Sequence, residues 1–159
     1  KMDARVPANG AKIVARAWTD KAYKKRLVSD PKSAINELGH DIGPMNLIVL
    51  ENTESIHNVV VCTLCSCYPR WILGLPPDWY KSREYRSRVV REPRAVLEEF
   101  GTMINDSREV RVHDSTADMR YLVLPLQPNG TENYTEAQLV NMIGRDALIG
   151  VVEVAAPSR

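Results

Sequence analysis

Charge of one sign is missing from this chain. Its 21 Lys and Arg stand against 20 Asp and Glu, a formal net charge of +1. Such a balance provides no strong field to gather nucleic acid or an anionic membrane surface. Long apolar runs are also missing, and nothing approaches the ~20 residues that cross a bilayer. The opening residues, Lys1-Met2-Asp3-Ala4-Arg5, carry no apolar signal-peptide core. Internal repeats and low-complexity linkers are absent too. The 159 residues are therefore read as a single domain, 1–159, in which 1–28 is a short helical segment packing on the rest.

Cysteine is scarce as well, and its placement is the most informative feature. All 3 cysteines fall in the run Val61-Cys62-Thr63-Leu64-Cys65-Ser66-Cys67. An odd number of adjacent thiols does not build a disulfide framework. Three thiols this close can converge on one metal ion. Reduced, metal-bound thiols suit a cytoplasmic protein.

The surrounding pattern alternates helix and strand. Ala11 to Val28 reads as helix, with Ile13, Val14, Ala17 and Trp18 on one side and a break at Thr19-Asp20. Asp30-Pro31 caps and opens the next helix, and Gly39 closes it. Asn46 to Glu51 and Ile56 to Val61 are β-branched strands, the second leading straight into Cys62. Pro76-Pro77-Asp78 opens a basic helix over Trp79 to Arg91. Glu92-Pro93 restarts it and Gly101 stops it. Glu109 to His113 and Met119 to Leu124 read as a strand pair. Thr135-Glu136-Ala137-Gln138 is a capping box for a helix running to about Asp146. Leu148 to Val154 reads as a last strand. The fold class expected is α+β, or mixed, with helices covering sheet faces.

The tight C-x-x-C-x-C spacing constrains the metal. Cys65 and Cys67 flank Ser66, so their sulfurs can lie on one side of an ion that the intervening backbone also approaches. A backbone amide binds only after losing its proton, which needs a strongly polarising ion. This favours an octahedral or square-based ion over tetrahedral zinc. A structural zinc would need a fourth protein ligand, and His57 is the only one nearby. A structural-zinc interaction module, a C-x-x-C redox pair and uncoordinated cysteines are the alternatives. The favoured reading is a catalytic mononuclear centre.

Several segments resemble the α subunit of nitrile hydratase. They are the cysteine run with Tyr68-Pro69, Ile72-Leu73-Gly74-Leu75-Pro76-Pro77, Trp79-Tyr80-Lys81-Ser82, Tyr85 to Arg94, Arg120 to Pro125, Arg145-Asp146 and Ile149-Gly150-Val151. Ala15 to Trp18, Glu51-Asn52-Thr53 and His57-Asn58 resemble it as well. Thiocyanate hydrolase, whose metal-binding subunit has the same motif, is a close relative in this family. The resemblance implies a layered α/β/β/α arrangement with mixed sheets. It implies Co(III), or alternatively Fe(III), held by Cys62, Cys65 and Cys67 and by the main-chain amides of Ser66 and Cys67. Cys65 would be a sulfinate and Cys67 a sulfenate, and Cys67, Cys65 and Ser66 would carry catalysis. Thr63 resembles the cobalt form. A β-type subunit would supply arginines to the oxidised sulfurs, a metallochaperone or activator is a possible further partner, and a small nitrile would be hydrated to its amide.

Some positions depart from that pattern. Arg70 stands where many relatives have Trp, followed by Trp71; both are candidate pocket residues, with Trp71 expected to pack and Arg70 to face substrate, partner or solvent. Gly43 replaces a supporting Gln or Glu. His57 is expected in the core, and His40 and His113 on the surface. Tyr80, Arg86 and Arg88 are expected on a solvated or partner-facing stripe, and Arg145 is a candidate bridge to a partner. The competing functions are a thiocyanate hydrolase γ subunit and the zinc module.

Overall fold

The computed structural model describes residues 8–64 and 67–157. Helix α1 (Ala8–Thr19) ends where Asp20 caps α2 (Lys21–Ser29), accepting the Tyr23 N–H. Asp30 likewise caps α3 (Pro31–Glu37), accepting from Ser33 N. A cap of this kind is worth ~1 kcal/mol; Asp30 is the expected cap, and Asp20 lies at the expected break. Strands β1 (Asn46–Glu51) and β2 (Ile56–Val61) have the expected bounds.

After the cysteine run come α4 (Arg70–Leu73), α5 (Asp78–Lys81), α6 (Arg83–Arg91) and α7 (Pro93–Glu99). The basic helix expected over Trp79 to Arg91 is therefore two helices. Ser82 is extended at ψ 148°, and its hydroxyl accepts from Tyr85 N while donating to the Trp79 carbonyl. One serine closes the first helix and caps the second, so the continuous pattern is interrupted without a glycine or proline.

Strands β3 (Glu109–Asp114) and β4 (Met119–Leu124) also have nearly the expected bounds. They do not pair with each other. β4 lies parallel to β1, with Asn46 opposite Met119 and Glu51 opposite Leu124. β3 lies parallel to β2, with Ile56 opposite Glu109 and Val61 opposite Asp114. Proximity in sequence suggested a hairpin; long crossovers decided otherwise. β2 is buried along nearly its whole length, the burial pattern of a strand in a covered parallel sheet. The mixed α/β class of the sequence reading holds, with a parallel pair in each of the two ladders described.

The last helical pattern is also divided. Helix α8 (Glu136–Val140) has the expected Thr135/Gln138 capping box. It stops near Asn141, and Gly144 caps α9 (Arg145–Ile149). Asn and Gly are weak helix formers, and together they break the run. The strand expected over Leu148 to Val154 is replaced by the end of α9 and a left-handed Gly150 at φ 95°. A Cβ at that position would lie 2.0 Å from the Asn58 carbonyl oxygen. Glycine is thus required both by the dihedral and by contact with β2. Helix α1 packs against α8, α4 and α9, and α9 against β2 and β4.

Candidate metal centre

Strand β2 delivers Cys62 into a buried position. Val59, Val60, Val61 and Cys62 are all at most 3% exposed. The Val60 carbonyl accepts the Tyr85 hydroxyl at 2.7 Å, and the Val61 carbonyl accepts the Ser115 N–H at 2.7 Å. The parallel register brings Asp114 to the end of β2. Its carboxylate accepts both the Thr63 N–H at 2.9 Å and the Thr63 hydroxyl at 2.6 Å. This two-point contact holds the first residue after Cys62.

The loop then reaches the surface and returns. Leu64 is 86% exposed, whereas Cys67 is 9% exposed. Cys65 and Ser66 lie outside the described residues. The returning strand of the loop is held through its carbonyls. Tyr80, fully buried, donates its hydroxyl to the Cys67 carbonyl at 2.8 Å. Arg120 donates from Nη1 to the Tyr68 carbonyl at 2.7 Å. The Tyr68 and Tyr80 rings meet edge-on at 5.1 Å, and Trp79, Tyr85 and Phe100 extend the aromatic cluster. Burial pushes the Tyr68 and Tyr85 hydroxyls far above their ordinary titration range, so both remain protonated; for Tyr85 that keeps the donor in place.

Three of these anchors were misjudged or missed in the sequence. Tyr80, expected on a solvated or partner-facing stripe, lies in the core beneath the loop. Asp114 and Arg120 approach only through the parallel pairing, for which local sequence gives no signal. Arg88, by contrast, is on the surface, paired with Glu92 at 2.7 Å and with Glu99. Arg145 is mostly enclosed and lies 3.2 Å from Asp146.

His57 is a core residue, as expected. Its Nε2 lies 2.7 Å from the Gly150 carbonyl and its Nδ1 lies 3.4 Å from the Asn52 amide nitrogen. A carbonyl can only accept, so the proton is on Nε2. Burial lowers the imidazole's pKa and keeps it neutral. With both nitrogens engaged inside the chain, His57 is not a fourth ligand for zinc. His113 is half-buried rather than on the surface, with Nε2 2.8 Å from Asn58 Oδ1, and His40 is also partly covered. Arg70 is exposed, and Trp71, expected to pack, is 51% exposed. Gly43 turns at φ 69° with its N–H on Asp41.

The donor chemistry fits a soft-ligand ion. Two buried thiols flank a short loop whose backbone is fixed on both sides, and among the described residues no group of three or more His, Cys, Asp or Glu offers a rival site.

Comparison with known proteins agrees with this arrangement. The family model for the nitrile hydratase alpha chain matches residues 1–152. The chain belongs to the nitrile hydratase alpha-chain family. It is 54% identical over 156 residues to the alpha subunit of a low-molecular weight cobalt-containing nitrile hydratase from Rhodococcus rhodochrous, spanning 96% of this chain and 74% of that protein. It is 45% identical over 157 residues to the thiocyanate hydrolase gamma subunit of Thiobacillus thioparus, spanning 91% of this chain and 65% of that protein. A double mutant of the Fe-type nitrile hydratase of Comamonas testosteroni Ni1 superposes with a TM-score of 0.92 at 48% identity, covering 97% of this chain and 78% of that one. Within this nitrile hydratase alpha-chain fold, the cysteine loop is built on the end of β2.

Proposed function

We propose that this chain is the metal-carrying α subunit of a cobalt nitrile hydratase, forming one domain over 1–159 and hydrating a nitrile to its amide together with a β-type partner. The supporting observation is the cysteine run itself, with Cys62 and Cys67 buried on either side of a backbone held by Asp114, Tyr80 and Arg120. Cys62, Cys65 and Cys67 hold the ion, with the amides of Ser66 and Cys67, and Fe(III) is the alternative to Co(III). Cys65 as sulfinate and Cys67 as sulfenate would add oxygen acceptors to the sulfur ligands. Arginines of the β-type partner pair with those oxygens, and a metallochaperone or activator assists loading. A cytoplasmic setting keeps the thiols reduced until then.

A trivalent ion in this loop supplies Lewis acidity toward the nitrile and toward water. The chain's own contribution is positional. Asp114 fixes the entry of the loop through the Thr63 N–H and hydroxyl. Tyr80 and Arg120 fix its exit through the carbonyls of Cys67 and Tyr68. Burial of Cys62 and Cys67 excludes bulk water from their sulfurs. Such rigid support keeps reacting groups in place without reorganisation during the reaction. In this reading Arg70 and Trp71, both exposed just after the loop, border the substrate approach.

The second reading, a thiocyanate hydrolase γ subunit, is favoured by Arg70, whose guanidinium suits an anionic substrate. Reconstitution with the β-type partner separates the two. Turnover of acrylonitrile or benzonitrile, one cobalt per chain and an oxygen mass gain on the cysteine peptide support the hydratase. Thiocyanate turnover without nitrile turnover selects the second reading. Cys62→Ser, Cys65→Ser or Cys67→Ser that left cobalt content unchanged would refute both.

A further inference from the structure

Helix α6 has two basic faces in different states. On one, Arg88 is held by Glu92 and Glu99, while Tyr85 and Val89 turn into the core. On the other, Arg83, Arg86, Ser87, Val90 and Arg91 fall at i, i+3, i+4, i+7 and i+8, one continuous stripe. That stripe and Thr63 line a groove of about 490 Å³. No carboxylate lines it, and none of its three guanidiniums has a carboxylate partner among the described residues. Arg86 Nε is buried with no hydrogen-bond partner. Exposed apolar surface accompanies the cations: Val90, in the groove, is 50% exposed, and Leu64, which follows the groove's Thr63 in the chain, is 86% exposed. The net charge of the chain is only +1, so this is a local concentration and not the overflow of a basic protein.

We propose that the Arg83–Arg86–Arg91 groove is the seat of an acidic segment of the partner subunit, whose Asp or Glu side chains pair with these guanidiniums beside the cysteine loop. The inference rests on the two-subunit reading above and names the chemistry by which that partner is recognised. A guanidinium offers a planar fork that a carboxylate fits with two parallel bonds. The orphan Arg86 N–H gains an acceptor when the groove fills. A free inorganic anion would satisfy the charges but leave Val90 and Leu64 in water; a folded acidic segment covers both. Arginine surrounding apolar spots is also the composition typical of protein interfaces. Docking here places the partner against Thr63, next to Cys62.

The test measures assembly of the full chain with its cognate β-type subunit. Arg83→Gln/Arg86→Gln/Arg91→Gln is compared with Lys12→Gln/Lys21→Gln/Lys25→Gln, which removes equal charge from exposed positions away from the groove. The groove variant is expected to raise the Kd at least about tenfold and to flatten its dependence on NaCl between about 50 and about 300 mM. The control is expected to stay within about twofold. Arg83→Gln/Arg91→Gln, at two exposed positions, repeats the measurement should the half-buried Arg86 be needed for folding. In a second arm, Arg83→Lys/Arg91→Lys preserves charge and permits carbodiimide coupling. Crosslinks to partner Asp or Glu are expected. Equal losses in groove and control variants, an unchanged Kd, or crosslinks to no partner carboxylate would overturn the proposal. These readouts are independent of nitrile turnover, so an assembled complex without hydratase activity defeats the functional reading alone.

Discussion

Replacing Tyr80 with Phe tests whether the aromatic cluster serves the cysteine loop or merely fills the core. The substitution keeps the ring, so the edge contact with Tyr68 at 5.1 Å and the tilted contact with Tyr85 at 6.0 Å persist. It removes the hydroxyl bond to the Cys67 carbonyl at 2.8 Å, in a fully buried setting. A buried acceptor deprived of its donor costs ~1–3 kcal/mol. If that loss is felt in the loaded loop, cobalt retention falls by roughly 5- to 150-fold. Tyr85→Phe is the matched control. It also removes one buried hydroxyl bond, to the Val60 carbonyl at 2.7 Å, but that carbonyl belongs to β2 and not to the returning half of the loop. Both variants are expected to lose similar stability in urea titration. Only Tyr80→Phe is expected to release cobalt faster to a competing chelator and, in the metal-free chain, to label faster at Cys67 with iodoacetamide. Identical behaviour of the two variants in both assays would refute the claim that Tyr80 positions the loop.

Other consequences follow from the same geometry. Asp114→Ala removes both acceptors from Thr63, and cobalt loading is expected to fall about tenfold, read by elemental analysis, while Asp118→Ala leaves it unchanged. Gly150→Ala sets a methyl group 2.0 Å from the Asn58 oxygen at φ 95°, and a loss above ~3 kcal/mol is expected in urea unfolding. His57 is neutral in the fold because burial lowers its pKa, and burial with the nearby Arg111 lowers that of His113. The unfolded chain therefore binds more protons below about pH 6.5, so stability is full above that value and is lost as pH falls, by up to ~1.4 kcal/mol per pH unit for each proton. Melting followed from pH 8 to pH 5 checks the sign, and His57→Gln should reduce the slope.

Local chemistry made much of the fold readable. Asp20, Asp30, the Thr135/Gln138 box and Gly101 act within a turn of their own position, and the β-branched content of β1 and β2 was enough to set their bounds. Errors occurred where one residue had two local options. Ser82 could lie within a helix or cap one, and its bond to Tyr85 N decided for the cap. Leu148 to Val154 is apolar enough for a strand, but Gly150 closes α9 and its carbonyl is taken by His57.

The sequence by itself supplied the candidate ligands: C-x-x-C-x-C puts all three thiols within six residues, and spacing along a chain limits which atoms can meet at that bend. It determined the family for the same reason, since the motif and its flanks are contiguous. Only the tertiary structure decided what holds that bend. Pairing β3 to β2 rather than to β4 brings Asp114 to Thr63 across 51 residues, and folding α5 beneath the loop turns Tyr80 from an apparent surface residue into the donor for Cys67. Such contacts depend on strand register and helix packing, which are set by burial summed over the whole core and leave no mark at the residues themselves.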